Sequence, residues 1–305
     1  MIIKKSIEKI KKYYRMSGAL LRCLLGYVLK FLIDVHILKP STFKKADDKD
    51  GVIVSLTSYG RRVEKCVVYY TLVSLMRQSV MPNKIILWLS KDEWNMNTIP
   101  RKIYDLTKNG LEIRFCDDLR SYKKLIPSLL EFPESTIITF DDDCIYPRYT
   151  LENMLEEQKD YPKDIICYYA SQPVIINGIP QNYKSWKTLE ATTSGVTLFP
   201  IGAAGILYPP HSLHEDVCKV SLFQQLCPSA DDVWFWFCGI RNGTNKRLIE
   251  KRGVDVSFDG IYQFFHKESS LTNLNKGKGK NDIQLNNLFK YYNVAINNKG
   301  ELYNL

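Results

Sequence analysis

At 305 residues the chain has room for one large core or two smaller ones, and 45% hydrophobic with 25% charged residues excludes a disordered or fibrous protein. A formal net charge of +9 calls for an anionic partner, a phosphorylated substrate or a lipid surface, while the absence of an RNA-binding signature of basic and aromatic residues sets nucleic acid aside. The eight cysteines include no CxxC pair, which excludes a zinc ribbon and a disulfide scaffold and reads as reduced thiols in a cytosolic protein.

The first element is a basic amphipathic arm, residues 1–45. It holds a lysine-rich start and a leucine-rich run without a small-residue cleavage site, so a signal peptide is not expected. Arg22, Lys30 and Asp34 interrupt the run and argue against a spanning helix. At about 100° per residue, Arg15, Arg22, Lys30, Asp34 and His36 fall on one side. Leu21, Leu24, Leu25, Val28, Phe31, Leu32 and Val35 occupy the other, and Leu29 and Ile33 stray onto the polar side. The expectation is a helix lying peripherally on the anionic inner face of the plasma membrane; packing on the protein's own core is the competing reading. "STFKKADDKDG" follows as a polar linker.

Residues 51–305 read as a single domain. "VIVSL", "KIILWL", "LEIRF" and "TIITF" are short apolar runs suited to buried strands. Between them, "VEKCVVYYTLVSLMRQ", "IPRKIYDLTKNG" and "SYKKLIPSLLEF" have helical spacing. Strands recur about every 25–30 residues, the repeat of βαβ units, and predict an α/β fold with a mostly parallel central sheet and helices on both faces. Further on, "IICYYA", "VTLFP" and "GAAGILYP" read as strands and "DDVWFWFCGIR" as a helix.

Ligands of such sheets bind at strand carboxyl ends, which directs attention to "STIITFDDDCIYP". Three adjacent carboxylates at the end of a buried strand repel one another and need a compensating charge. In an extended segment Asp141 and Asp143 share a face and Asp142 points the other way. Two hard oxygen ligands, completed by phosphate and water, are how proteins hold Mg²⁺ or Mn²⁺. The competing reading is a solvated acidic turn in which Asp141 acts as a cap.

This stretch resembles the DxD motif of GT-A-fold glycosyltransferases, which use nucleotide-diphosphate sugars. The preceding "SYKKLIPSLLEF" is similar to the segment in which Tyr-x-Arg/Lys-Leu opens a helix ahead of the DxD strand. The resemblance implies that Asp143 holds the metal, Asp141 the metal or the ribose, and Lys124 the donor sugar or its phosphates, with Asp142 among the donor-side residues. It also makes the "SLTSYGRR" loop a nucleoside site, with Thr57, Tyr59 and Arg61 as contacts. At the exit of the third strand, Asp118 in "FCDDLRS" becomes an acceptor for the base.

In the second half, "PIGAAGILYPP" strings small residues together, so backbone can approach a bulky ligand or pack tightly. Asp231 and Asp232 of "CPSADDVWFWF" are explained as helix-start acids, yet inverting GT-A enzymes often place an acidic pair here. By that resemblance Asp232 or Asp231 is the base that deprotonates the acceptor hydroxyl. Trp234 and Trp236 read as core rather than as sugar platforms. His266 in "FFHKESS" is a third metal-ligand candidate, and the "NKGKGKND" stretch is a mobile flap or a solvated loop. The whole implies a Mn²⁺- or Mg²⁺-dependent transferase acting on a lipid-linked or growing glycan. Against it stand a HAD-type phosphatase with Asp141 as nucleophile and a non-catalytic membrane-peripheral module.

Overall fold

The computed structural model describes residues 21, 24–42, 51–250, 256–257 and 279–305. The four apolar runs become β1 (Val52–Thr57), β2 (Lys84–Ser90), β3 (Leu111–Cys116) and β4 (Thr136–Phe140). They lie in the order β4-β1-β2-β3 and are all parallel. Ile53, Val54 and Leu56 are fully buried, as are Ile85, Ile86 and Leu87. Strands covered on both faces are mostly apolar runs rather than alternating ones, which is why β1, β2 and β4 stand out in the sequence, whereas β3 lies at the sheet edge and alternates through Glu112 and Arg114. Beyond β4 the sheet continues through Ile206–Tyr208, Ile165–Cys167, Lys246–Leu248 and the edge strand Thr193–Gly195. Only Ile206–Tyr208 and Thr193–Gly195 run against the others, so the eight-stranded sheet is mostly parallel.

Successive strand residues face opposite ways and feed two cores. Ile53, Ile86 and Ile137 pack on one face with the helix Asp231–Arg241, whose Trp234 and Trp236 are buried in that core. The indole N–H groups donate to Val217 O and Thr197 O, both at 3.0 Å, so both tryptophans are core side chains. On the other face Val54, Leu56, Leu87 and Ile138 meet the helices Val67–Leu75 and Thr150–Asp160.

Several elements differ from the sequence reading for local reasons. The helix expected over "VEKCVVYYTLVSLMRQ" is two, Gly60–Glu64 and Val67–Leu75, because Cys66 adopts a left-handed conformation with φ 52°. "SYKKLIPSLLEF" likewise divides into a 3₁₀ turn, Arg120–Lys124, and the helix Ile126–Glu131. Pro127 has no N–H to continue a preceding turn but suits the first turn of a new helix. In "GAAGILYP" only Ile206–Tyr208 is strand. Gly205 before it has φ +98°, and a Cβ there would lie 2.5 Å from Phe140 Cε1.

Candidate active site at the carboxyl edge of the sheet

The strand order turns back between β1 and β4, so the loops leaving these two strands diverge and open a crevice. One wall is Ser58–Glu64 and the other is Asp141–Pro147. β4 ends at Phe140, so Asp141–Asp143 form a turn rather than an extended segment. The expected alternation therefore fails. Asp142 and Asp143 engage the same guanidinium, while Asp141 faces a different cation.

That guanidinium belongs to Arg62, the neighbour of Arg61, which the sequence reading took as a donor contact. Arg62 Nη1 pairs with Asp142 Oδ1, and Nη2 lies 2.8 Å from Asp143 Oδ2. Ser58 Oγ donates to Asp142 Oδ2 at 2.5 Å. Asp142 is thus buried and bonded through both oxygens, and it ties the β1 exit to the β4 exit. Burial raises the Asp142 carboxyl to about 6, with Arg62 opposing and Asp143 adding to the rise.

The other cation is Lys124, whose side chain is only 9% exposed. Its ammonium lies 2.8 Å from Asp231 Oδ2, 3.5 Å from Asp141 Oδ1 and 3.8 Å from Asp232 Oδ1. Burial opposes the charge, but the three carboxylates outweigh it and hold the Lys124 pKa well above the ordinary lysine value. Asp231 is occupied on its other oxygen by the Ser121 hydroxyl at 2.9 Å. Asp232 is held differently. Its Oδ2 accepts the Gly202 N–H at 3.3 Å, and its buried Oδ1 has no hydrogen-bond partner among the described residues. Desolvation, opposed by Lys124 and reinforced by Asp231 and Asp141, raises the Asp232 carboxyl to about 7. The same balance of burial against Lys124, with Asp143 and Asp231 added, raises Asp141.

Gly202 is packed tightly by the site itself. A Cβ there would stand 3.1 Å from both Asp232 Oδ1 and Lys124 Nζ, so the small residue makes room for the site's own side chains. Tyr146 supports the turn from behind: its hydroxyl accepts the Asp141 N–H at 3.1 Å and lies 3.2 and 3.3 Å from the carbonyls of Asp141 and Ala203. Sequence reasoning missed Ser58, Arg62, Ser121 and Tyr146 as parts of this cluster.

The remaining candidates are spread along the rim. Thr57 donates its hydroxyl to Trp88 O at 2.8 Å, at the end of β1. Tyr59 is exposed, with the Arg62 guanidinium 5.7 Å from its ring, and remains available as a stacking face. Asp118 pairs with Lys123 and accepts the Arg120 N–H at 3.0 Å. His266 and most of the glycine-lysine stretch lie outside the described residues.

Five carboxylates meet two side-chain cations here, so the cluster is anionic when ionised. Among the described residues no group of three or more His, Cys, Asp or Glu side chains could hold a metal ion alone. Asp141 and Asp143, facing Lys124 and Arg62 respectively, contribute one carboxylate each, and one or two carboxylates completed by phosphate and water is the number that Mg²⁺ accepts. The surplus negative charge also suits a divalent cation and repels a bare diphosphate.

No protein-family model matches the chain, and no curated protein matches it. Solved structures show remote likeness. S. aureus TarS 1–349 superposes with a TM-score of 0.44 at 14% identity, over 79% of this chain and 71% of that one. The same protein in complex with UDP gives 0.44 at 12% identity, with the same coverage. A CMP:2-keto-3-deoxy-manno-octonic acid synthetase complexed with CTP gives 0.41 at 11% identity, over 72% of this chain and all of that one. Likeness at this level assigns neither family nor activity.

Proposed function

We propose that the chain is a metal-dependent glycosyltransferase that moves a sugar from a nucleotide-diphosphate donor to a hydroxyl of a lipid-linked or growing glycan. One observation carries this reading. The basic residue of the Tyr-x-Lys-Leu stretch, the first acid of the triplet and the acidic pair at the start of Asp231–Arg241 come from three separate parts of the chain. They converge within 2.8–3.8 Å of a single ammonium at the carboxyl edge of the sheet. A solvated acidic turn and an independent helix cap would have no reason to meet.

The geometry supports a division of labour within the acidic pair. Asp231 accepts the Ser121 hydroxyl through Oδ1 and forms the close 2.8 Å ion pair with Lys124 through Oδ2, so it positions the ammonium. Asp232 Oδ1, like Asp231 Oδ2, is buried without a hydrogen-bond partner among the described residues, but it stands farther from Lys124, at 3.8 Å, and is the stronger choice for taking the proton from the acceptor hydroxyl. A carboxyl raised toward 7 is a base matched to neutral pH. Exposed Tyr59 offers a face for the nucleobase. Asp141 and Asp143 would hold Mn²⁺ or Mg²⁺, which when bound neutralises charge on the departing nucleoside diphosphate.

The test is turnover of nucleotide sugars by wild type and by Asp232→Asn, followed as release of the nucleoside diphosphate. Loss of about 10²-fold or more, with donor binding retained, is expected of a base. An unchanged rate in the variant removes Asp232 from the chemistry.

A further inference from the structure

The helix of residues 24–34 docks on the second core in an orientation that water does not favour. Its polar side faces the protein. Asp34 accepts the Tyr70 hydroxyl at 2.9 Å and the Lys102 ammonium at 2.5 Å, and Lys30 Nζ sits 5.0 Å from the Tyr70 ring centre. The two apolar residues on that side pack beside them: Ile33 is 2% exposed, and Leu29 lies against the same core. Turned outward are Leu24, Val28, Phe31 and Val35, spaced to form one stripe and each 45–62% exposed.

A helix that spends its charges on its own domain and shows water a continuous aliphatic and aromatic stripe is built to be covered by something apolar. The sequence says what. Residues 1–22, just ahead of the stripe, contain seven lysines and arginines against one glutamate. A bilayer face carrying anionic lipid complements both features, whereas a second copy of the chain would bring a second basic lead-in near the first. No helix among the described residues is long and apolar enough to cross a membrane, so the fit is to a surface.

We propose that this stripe docks on an anionic membrane leaflet and that the Asp34–Tyr70–Lys102 contact sets how the domain stands on it. Lys39 and Ser41 are bonded to Arg77 and Met76, past the end of Val67–Leu75. The docking surface does not depend on the proposed reaction, and its test needs no activity.

The 305-residue chain is floated with vesicles of phosphatidylcholine alone and with about a quarter phosphatidylglycerol, then compared with the Val28→Ser/Phe31→Ser double variant. Wild type is expected to float with the anionic vesicles and to be released by added salt. The double variant should bind at least about tenfold more weakly at an unchanged thermal midpoint, because the lost groups face outward. Binding indifferent to anionic lipid and salt overturns the proposal, as does undiminished binding by the double variant. A fall of several degrees in its midpoint assigns the stripe to the fold's own packing. A wild-type dimer that the double variant abolishes, without vesicle binding, assigns it to a second copy.

Discussion

Lys124→Met leaves the volume of the site nearly intact and removes its central charge. In the native protein one buried ammonium stands against Asp231, Asp141 and Asp232 at 2.8, 3.5 and 3.8 Å. Removing one partner of a buried ion pair costs about 3–5 kcal/mol, and the partial solvent access of Asp141 and Asp232, 38% and 29% exposed, puts this site at the lower end, about 3 kcal/mol. At about 2 °C per kcal/mol for a chain of this size, the thermal midpoint should drop by about 6 °C at pH 8. The deficit should depend on pH with a defined sign. Asp141 and Asp232 already have folded values raised above the ordinary 3.8. A raised carboxyl contributes stability below its unfolded value and loses it as pH rises through the folded one. Without Lys124 those values rise further, so the gap between variant and wild type should be wider at pH 8 than at pH 5, where protonation relieves the repulsion. Thermal unfolding followed by circular dichroism at both pH values reads it directly. An equal midpoint for both proteins at pH 8 would mean that the carboxylates are solvated and that the cluster is not a desolvated site.

Because Asp232 is raised to about 7 and must be ionised to accept a proton, kcat/KM should be low at acid pH, rise through about 7 and level off above it. A profile flat between acid and alkaline conditions would contradict this. Arg62→Ala strands buried Asp142 with Ser58 as its remaining partner and should cost about 3 kcal/mol or more in urea unfolding. Arg62→Lys should recover only part of that, since one ammonium cannot span both carboxylates as the fork does. Gly205→Ala meets both a positive φ and Phe140 at 2.5 Å, whereas a Cβ at Gly60 meets nothing within 4 Å. The first should therefore destabilise by at least about 1–3 kcal/mol, more than Gly60→Ala does, and a reversed order in denaturation would refute the packing described.

The first half of the fold was legible because parallel strands covered on both faces are mostly apolar, as β1, β2 and β4 are, while β3, at the sheet edge with Glu112 and Arg114, alternates instead. Past residue 165 the strands shrink to two or three residues, as at Ile165–Cys167 and Phe199–Pro200, too short for any periodicity to show. At the site, Lys124, Asp141 and the Asp231–Asp232 pair were visible because each sits in a patterned stretch at a strand or helix end. Arg62 was not. Choosing it over Arg61 depends on the phase of the short helix Gly60–Glu64, which the sequence suggested only as a loop. Ser58 and Asp142 bond across 84 positions, and such a contact follows from the pairing of β1 with β4, not from any local pattern. The compensating charge first sought in a metal is met in part by Arg62 and Lys124, both drawn from elsewhere in the chain. In the arm, Leu29 and Ile33 looked like flaws in an amphipathic pattern, yet they are the residues that seat the helix.

The most direct measurement is a thermal-shift screen of the purified protein against a panel of nucleotide-diphosphate sugars, each with and without Mn²⁺. A donor at about 100 times its Kd adds about 2.7 kcal/mol, worth about 5 °C here. The site as described requires such a shift with at least one donor, strengthened by Mn²⁺ and lost in Asp141→Asn. A midpoint that stays put with every member of the panel, metal present or absent, would contradict it.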